Sequence, residues 1–378
     1  MKRFIAAACA AAFVFAGGCS AYDMSGSSCL TDTELPDKAE EKGYVPLNYR
    51  KQVGMWLPYV RFPEYMQGRS EAEFRRKVSE LLEDALADNV NTVYFHVHPA
   101  GDAYYRSDIY PKGQYLDGEY DPLAIVTEEA HKRGISVHGW INPLRMQTDG
   151  DMSQLPDSFI VKRWIKEGKP FVKNVNGRWY LDPAYPETVE LLRNTAEEIL
   201  GSYDVDGLHI DDYFYPTTDP EFDREAFGES GAEELAQWRT DNVNKFVKAL
   251  YDAVKETDER LVFGISPQGN INADYDTQYA DVRRWGGEQG FCDYIVPQIY
   301  FGFENENSPF LPVLAEWEEL VGNSGVSLIV GLAAYKLGRE DKWAGAAAEL
   351  EWINDPDIIS RQIAAVTASS ADGYALYY

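Results

Sequence analysis

The chain has 378 residues, which suits one large α/β domain with a small appendage. Its 45% hydrophobic and 26% charged residues are ordinary for a globular protein. A formal net charge of −27 argues against nucleic acid as a partner, because phosphate binding needs a basic face.

Lys2 and Arg3 precede an apolar run from Phe4 to Phe15, followed by Ala16-Gly17-Gly18-Cys19-Ser20. A charged start, a short apolar stretch and small residues before a cleavage point form a secretory signal. The run is too short to span a bilayer comfortably. Cys19 directly after small residues resembles a bacterial lipobox, although Ala16 stands where Leu or Val is usual. Residues 1–18 are therefore expected to be removed and Cys19 lipidated. That would place the protein in the bacterial cell envelope, on a membrane face the sequence does not specify. Of the 4 cysteines, Cys29 and Cys292 then remain, one in a tether and one in the body, so no structural disulfide is expected. Residues 19–45 are polar with no apolar period and read as a flexible tether.

From residue 46 to 378 strand-like and helix-like stretches alternate. The strands fall near Val53–Val60, Thr92–His98, Ser136–Ile141, Gly207–Ile210, Leu261–Ser266, Tyr294–Tyr300, Ser327–Leu332 and Tyr374–Tyr378. Helical stretches include Glu71–Ala87, with apolar Phe74, Val78, Leu81, Leu82 and Ala85, then Pro186–Leu200 and Trp238–Lys255. Eight strands with helices between them predict a (β/α)8 TIM-type barrel. The segment 144–206 is long for a connection and is expected to build part of a cleft. The chain stops just after the eighth strand, so the last helix is expected to be missing. Either an N-terminal segment covers that gap or the barrel stays open there.

Tyr203–Pro216 (Tyr-Asp-Val-Asp-Gly-Leu-His-Ile-Asp-Asp-Tyr-Phe-Tyr-Pro) is the most informative stretch. A short strand runs straight into Asp211 and Asp212 and then an aromatic loop. Strand side chains alternate, so His209 and Asp211 share one side and Leu208 and Ile210 the other. Carboxylates at the C-terminal end of a barrel strand sit where such folds place their chemistry, and glycoside hydrolysis uses carboxylates. The same alternation groups His96 with His98, then His138, Trp140 and Asn142, then Ser266 with Gln268, and Gln298 with Tyr300. Val97, Ile141, Ile210, Ile265 and Ile299 take the opposite side. Polar groups on one side of several strands predict an interior mouth that a hydroxyl-rich ligand would satisfy. His96-Val97-His98 also has the spacing of a metal-binding pair, joined by His138 and His209. That reading is weakened by the pair's place on the second strand and by a last strand without Asp.

The chain resembles the family 10-like glycosyl hydrolase lipoproteins, a bacterial barrel group, over about residues 52 to 378. The resemblance is carried by Pro99–Tyr105, Asp121-Pro122-Leu123, Glu129–Gly134, Trp140–Arg145, Asp206–Pro216, Gly264–Pro267 and Asp293–Tyr300, in this order. It implies a cell-envelope glycosidase acting on peptidoglycan strands stripped of their stem peptides, with no cofactor. It also implies Asp211 and Asp212 as catalytic carboxylates, and Asn142, Arg145, Gln298 and Tyr300 as cleft residues. Asp182, in Trp179–Pro183, is a third carboxylate candidate. His96, His98, Trp140 and His209 complete the expected substrate-binding set. The family usually shows Gln and Arg where this chain has His96 and His98, which leaves the glycan open. A weaker likeness to chitinase-type barrels fails at Tyr213, which stands where those enzymes carry their acid; Asp212, Glu304 or Glu306 could supply one instead. The alternatives are a glycan-binding lipoprotein without catalysis, using Trp140, Tyr213, Tyr215 and Tyr300 as stacking platforms, and a metal-dependent hydrolase using His96 and His98. Expected partners are a glycan and, through the lipid alone, a membrane.

Overall fold

The computed structural model describes residues 44–211 and 213–378. Cys19, the signal stretch, nearly all of the tether and Asp212 lie outside the described residues. The strands in chain order are β1 (Gln52–Leu57), β2 (Thr92–His98), β3 (Ser136–Ile141), β4 (Arg145–Thr148), β5 (Val172–Val175), β6 (Arg178–Leu181), β7 (Gly207–Asp211), β8 (Val262–Ser266), β9 (Tyr294–Ile295), β10 (Ser327–Leu332) and β11 (Gly373–Leu376). Eight of them form a closed parallel barrel in the order β1-β2-β3-β7-β8-β9-β10-β11, with β11 pairing back to β1. Helices follow the strands and cover the outside, the arrangement of a (β/α)8 barrel.

The barrel is not left open. Gln52 pairs with Gly373 and Met55 with Leu376. Gly373 makes this closure sterically possible, because a Cβ there would lie 1.9 Å from the Gln52 carbonyl oxygen. Among the described residues no helix follows β11, and the ladder closes without one.

The helices form where the sequence supplies both a cap and a stripe. Ser70 and Glu73 make a capping box at the start of Glu71–Ala87, and Phe74, Val78, Leu82 and Ala85 face inward at the expected spacing. Two strands are shorter than expected, for reasons of proline chemistry. Pro58 ends β1, and the chain turns into a 3-10 helix at Tyr59–Arg61. Pro297 lacks an N–H, so β9 stops at Ile295 as a continuous strand. Single bridges at Gln298 to Gln268 and Gly331 carry the pairing further.

Two additions frame the barrel. The first is a three-stranded antiparallel sheet, ordered β4-β6-β5, inserted between β3 and β7. It ends at Asp182, which is fully buried. One carboxylate oxygen accepts from the Ala184 N–H at 3.0 Å, while Oδ2 has no partner among the described residues. Burial pushes this carboxyl up to about 7; the Ala184 N–H pulls the other way, and nearby Asp223 adds to the rise.

The second addition is the segment from Tyr44, which crosses the N-terminal ends of the strands. Asp206, fully buried just before β7, holds it. Its carboxylate accepts from the Tyr44 hydroxyl and also from the His131 ring at 2.9 Å, the Leu47 N–H at 2.5 Å and the Val137 N–H at 2.6 Å. Asn48 reaches the backbone carbonyls of Asp206 and Arg260, and Tyr49 that of Gly134 at 2.5 Å. All of these lie at the end of the barrel opposite the strand C-termini.

Removing the Asp206 carboxylate strands four donors at once. Asp206→Ala is expected to cost about 3 kcal/mol, seen as a lower urea midpoint, with the segment from Tyr44 becoming the first site of proteolysis. A loss below about 1 kcal/mol would contradict the central role given to this residue. Asp182 makes a separate prediction. A folded-state value near 7, against about 4 unfolded, means the native state binds the proton more tightly. Its contribution is therefore fully present below about pH 4 and lost as pH rises towards 7. Asp182→Asn should flatten stability across that window in denaturation midpoints taken from pH 4 to 8. An unchanged pH slope would refute the assignment.

Candidate active site

The barrel interior is filled with polar rings. The inward positions include Gln52, Gly54 and Trp56 on β1, Tyr94 and His96 on β2, Ser136, His138 and Trp140 on β3, His209 and Asp211 on β7 and Tyr294 on β9. Val262, Val296, Ile329 and Ala375 pack among these rings as the apolar part of the interior. Gly264 on β8 gives Tyr294 its place, since a Cβ there would fall 1.9 Å from the phenol ring. The Trp56 indole N–H donates to His209 Nε2 at 3.2 Å. His209 must then carry its proton on Nδ1 and donate it to the Tyr294 oxygen, 3.1 Å away. The Tyr294 hydroxyl in turn donates to His138 Nδ1 at 2.6 Å, and His138 Nε2 to Ser136 Oγ at 3.1 Å. Both histidines are neutral: burial lowers His138 to about 4 and His209 well below the ordinary range. Tyr94 stacks on His209 at 4.2 Å between centroids and donates to Gln52 at 2.8 Å.

Above this floor, at the C-terminal ends of the strands, opens a cavity of about 340 Å³. That is within the range of small-ligand sites. Asp211, at the end of β7, is its only carboxylate among the described residues. Asn142, just beyond β3, donates through Nδ2 to Asp211 Oδ1. The Asn142 oxygen therefore accepts from His96 Nε2, at 2.7 Å. His96 lies flat on Trp140, with centroids 3.6 Å apart. Burial holds its imidazole well below the usual range; the hydrogen bond with Asn142 opposes this and the Arg145 charge adds to it. A neutral imidazole, a carboxamide and a carboxylate thus form one line that fixes the rotation of Asp211.

The walls are aromatic. Tyr300, Tyr335 and Tyr377 meet edge to face or tilted, with centroids 5.7 to 6.1 Å apart. On the other side Arg145 lies over the rings of Tyr59 and Tyr213, at 5.7 and 5.4 Å. Tyr213 is held in the left-handed region at φ 75°, a conformation bulky residues seldom adopt. The Gln278 oxygen anchors it by accepting from the N–H groups of Tyr213 and Phe214 at 2.8 and 3.1 Å. The rest of that loop is clamped by a buried ion pair: Arg239 grips both oxygens of Asp223 at 2.7 Å. The Arg239 guanidinium is sandwiched between Tyr215 and Tyr279 at 5.1 and 5.0 Å.

The fold brings together His96, Trp140, Asn142, Arg145, Asp211, Gln298 and Tyr300 from the expected set. Others need correction. His98 does not face the cavity, because the β2–β3 register shifts between His96 and His98. This bulge turns His98 outward, under Tyr110, where Nδ1 meets the Asp102 carbonyl at 2.9 Å. The histidine pair therefore cannot converge on one metal ion, and no cluster of three metal-binding side chains occurs among the described residues. His209 lies one layer below the cavity, beneath Trp56. Asp182 is buried at the root of the inserted sheet, not in the cleft. Tyr215 points away and donates to Asp223. Glu304 and Glu306 are exposed and line no part of the cavity. Trp56, Tyr59, Tyr335 and Tyr377 went unnoticed in the sequence. Alternation along β1 would have placed Trp56 inward with Gln52, and alternation along the last strand Tyr377 inward with Ala375; Tyr59 and Tyr335 sit in 3-10 turns, where a period of two gives no signal.

A carboxylate held by Asn142, a positive guanidinium and aromatic faces around an open cavity can bind a polyol ring and place an acid group beside it. The profile of the glycosyl hydrolase-like 10 family matches residues 52–345. Glycosyl hydrolase YngK of Bacillus subtilis is 33% identical over 349 residues, covering 83% of this chain and 65% of that protein. Glycosyl hydrolase DigH of Escherichia coli K12 is 33% identical over 288 residues, covering 67% of this chain and 64% of that protein. The chain thus spans about 65% of the length of the curated relatives it matches. Among solved structures, the PgaB (BpsB) glycoside hydrolase domain from Bordetella bronchiseptica superposes with a TM-score of 0.56 at 14% identity, covering 87% of this chain and 93% of that one. An Anoxybacillus alpha-amylase gives 0.54 at 11% identity, covering 87% and 70%. At such identities these two likenesses concern the barrel alone. The match across most of the barrel, with relatives one-third identical, makes this chain a member of the glycosyl hydrolase-like 10 family.

Proposed function

We propose that the protein is a glycoside hydrolase of the cell envelope, cleaving N-acetylated glycans and specifically peptidoglycan strands stripped of their peptides. The observation that carries this reading is Asp211, fixed by Asn142 at the strand end and facing an aromatic-walled cavity. Family membership and the glycosyl hydrolases YngK and DigH support it. In this reading Asp211 and Asp212 divide the work of protonating the leaving oxygen and of acting as base, nucleophile or orienting group. Tyr300 and Tyr377 offer ring surface to the sugars, Trp140 lines the cavity with one face backed by His96, Gln298 binds hydroxyls, and Arg145 meets negative charge on the substrate or in the transition state. The reaction needs no cofactor.

Asp211→Asn keeps the shape and the contact with Asn142 but removes the ionisable group. It should lower strand cleavage about 10³-fold while strand binding persists, read by mass spectrometry of products from peptidoglycan with and without amidase treatment. Equal release by wild type and variant would sink the assignment. Binding without release by wild type would leave a glycan-binding lipoprotein instead. For location, we propose that Cys19 carries lipid. Cys19→Ser should then move the protein from the membrane fraction to the soluble fraction, and an unchanged distribution would refute lipidation.

A further inference from the structure

Trp343 is 88% exposed, the most exposed of the large apolar side chains among the described residues. It sits in the loop after β10, at the same end of the barrel as the cavity. A tryptophan left almost wholly in water is unusual unless it serves a contact.

The loop that carries it is braced at many points. Lys336 donates to the carbonyl of Tyr300, a cavity-wall residue, at 2.8 Å, and to Asp341 at 2.7 Å. The buried Asp341 accepts from the Trp343 N–H through its side chain at 3.4 Å and from the Ala344 N–H through its carbonyl at 3.0 Å. Asn307 reaches the Trp343 carbonyl at 3.4 Å. Glu306 donates its N–H to the Ala344 carbonyl at 2.8 Å and accepts from the Ala347 N–H at 2.9 Å. Gly345, at φ 91°, lets the Glu306 carboxylate fold over the turn, where a Cβ would lie 2.3 Å from the carboxyl carbon. Both backbone groups of Trp343 are therefore fixed, and its indole is offered to solvent without being tucked against the barrel. The backbone beneath the ring is held in advance, so only the side-chain torsions remain to be ordered on binding.

We propose that Trp343 is a distal glycan-binding platform, on which a sugar ring of a long strand stacks while another part of the same strand occupies the cavity. The occupant follows from continuity. Tyr335, on the cavity wall, and Trp343 share one loop. The hydrogen bonds from Tyr300 through Lys336 and Asp341 tie the platform to that wall. Its exposed neighbours along the chain are Lys342, Ala346 and Ala347, with Leu350 and Ile353 46% and 44% exposed further on. A lipid or protein contact is therefore the competing occupant that the vesicle arm of the test addresses. This inference rests on the glycan-cleaving reading above and adds a length preference to it.

The test compares the full chain with Trp343→Ala and Trp343→Tyr on long peptide-free strands and on a tetrasaccharide cut from them. Trp343→Ala should raise KM on long strands about tenfold, leave kcat and all tetrasaccharide kinetics unchanged, and be largely rescued by Trp343→Tyr. Equal KM on long strands, or equal loss on both substrates, would overturn the platform. To separate this from failure of the catalytic reading, co-sedimentation with insoluble strands is repeated in the Asp211→Asn background, where no turnover is needed. Weaker co-sedimentation with Trp343→Ala supports the platform even if no glycan is cleaved. Undiminished co-sedimentation, no co-sedimentation by either form, or a loss confined to binding of anionic phospholipid vesicles overturns it.

Discussion

The site rests on the requirement that polar groups inside a barrel be hydrogen-bonded. An interior lined with Val and Ile would close on itself and leave no mouth. Here the lumen carries Trp56, Tyr94, His138, His209 and Tyr294, each with a polar edge that must be answered. They answer one another in a single direction, from the indole of Trp56 through His209 and Tyr294 to His138 and Ser136. Because the run fixes every tautomer, it fills the lumen with neutral rings and turns it into a rigid floor. Trp56 belongs to both layers, donating downward to His209 and facing the cavity above.

The same economy governs the layer above. Asp211 has its orientation set by Asn142, and Asn142 by His96, which is itself pressed against Trp140. The geometry of the carboxylate is thus inherited from stacking two strands away. The loop after β7 has no regular structure to hold it, and two buried devices do so instead. Gln278 pins the strained backbone at Tyr213, and the Arg239–Asp223 pair clamps the return of the chain. A buried ion pair adds little net stability, but separating its partners is costly, so the loop that carries Asp223 is held where Arg239 can reach it. That arrangement presents Tyr213 to the cavity.

How much of this was legible follows from what alternation can and cannot encode. The barrel was readable because each strand keeps its period of two, so Ile141, Ile210 and Ile265 fell correctly outside and Trp140, Asn142 and Asp211 inside. His98 was misplaced because a bulge adds a residue that the period does not announce. Asp182 looked like a site residue beside aromatic neighbours, but its position depends on how the inserted sheet folds back, a long-range contact with no local signature. His209 was placed on the correct face yet at the wrong depth, since alternation gives the side of a strand and not the height along the axis. Tyr59 and Tyr335 reach the cavity from 3-10 turns, where direction is set by tertiary packing.

The anchoring of Tyr44 by Asp206 has a consequence for how the molecule meets its surroundings. Tyr44 is fixed at the pole of the barrel opposite the cavity. Whatever chain comes before it therefore departs from the molecule's rear. The mouth, at the other pole, is left clear of that attachment and open to a polymer longer than the cavity itself.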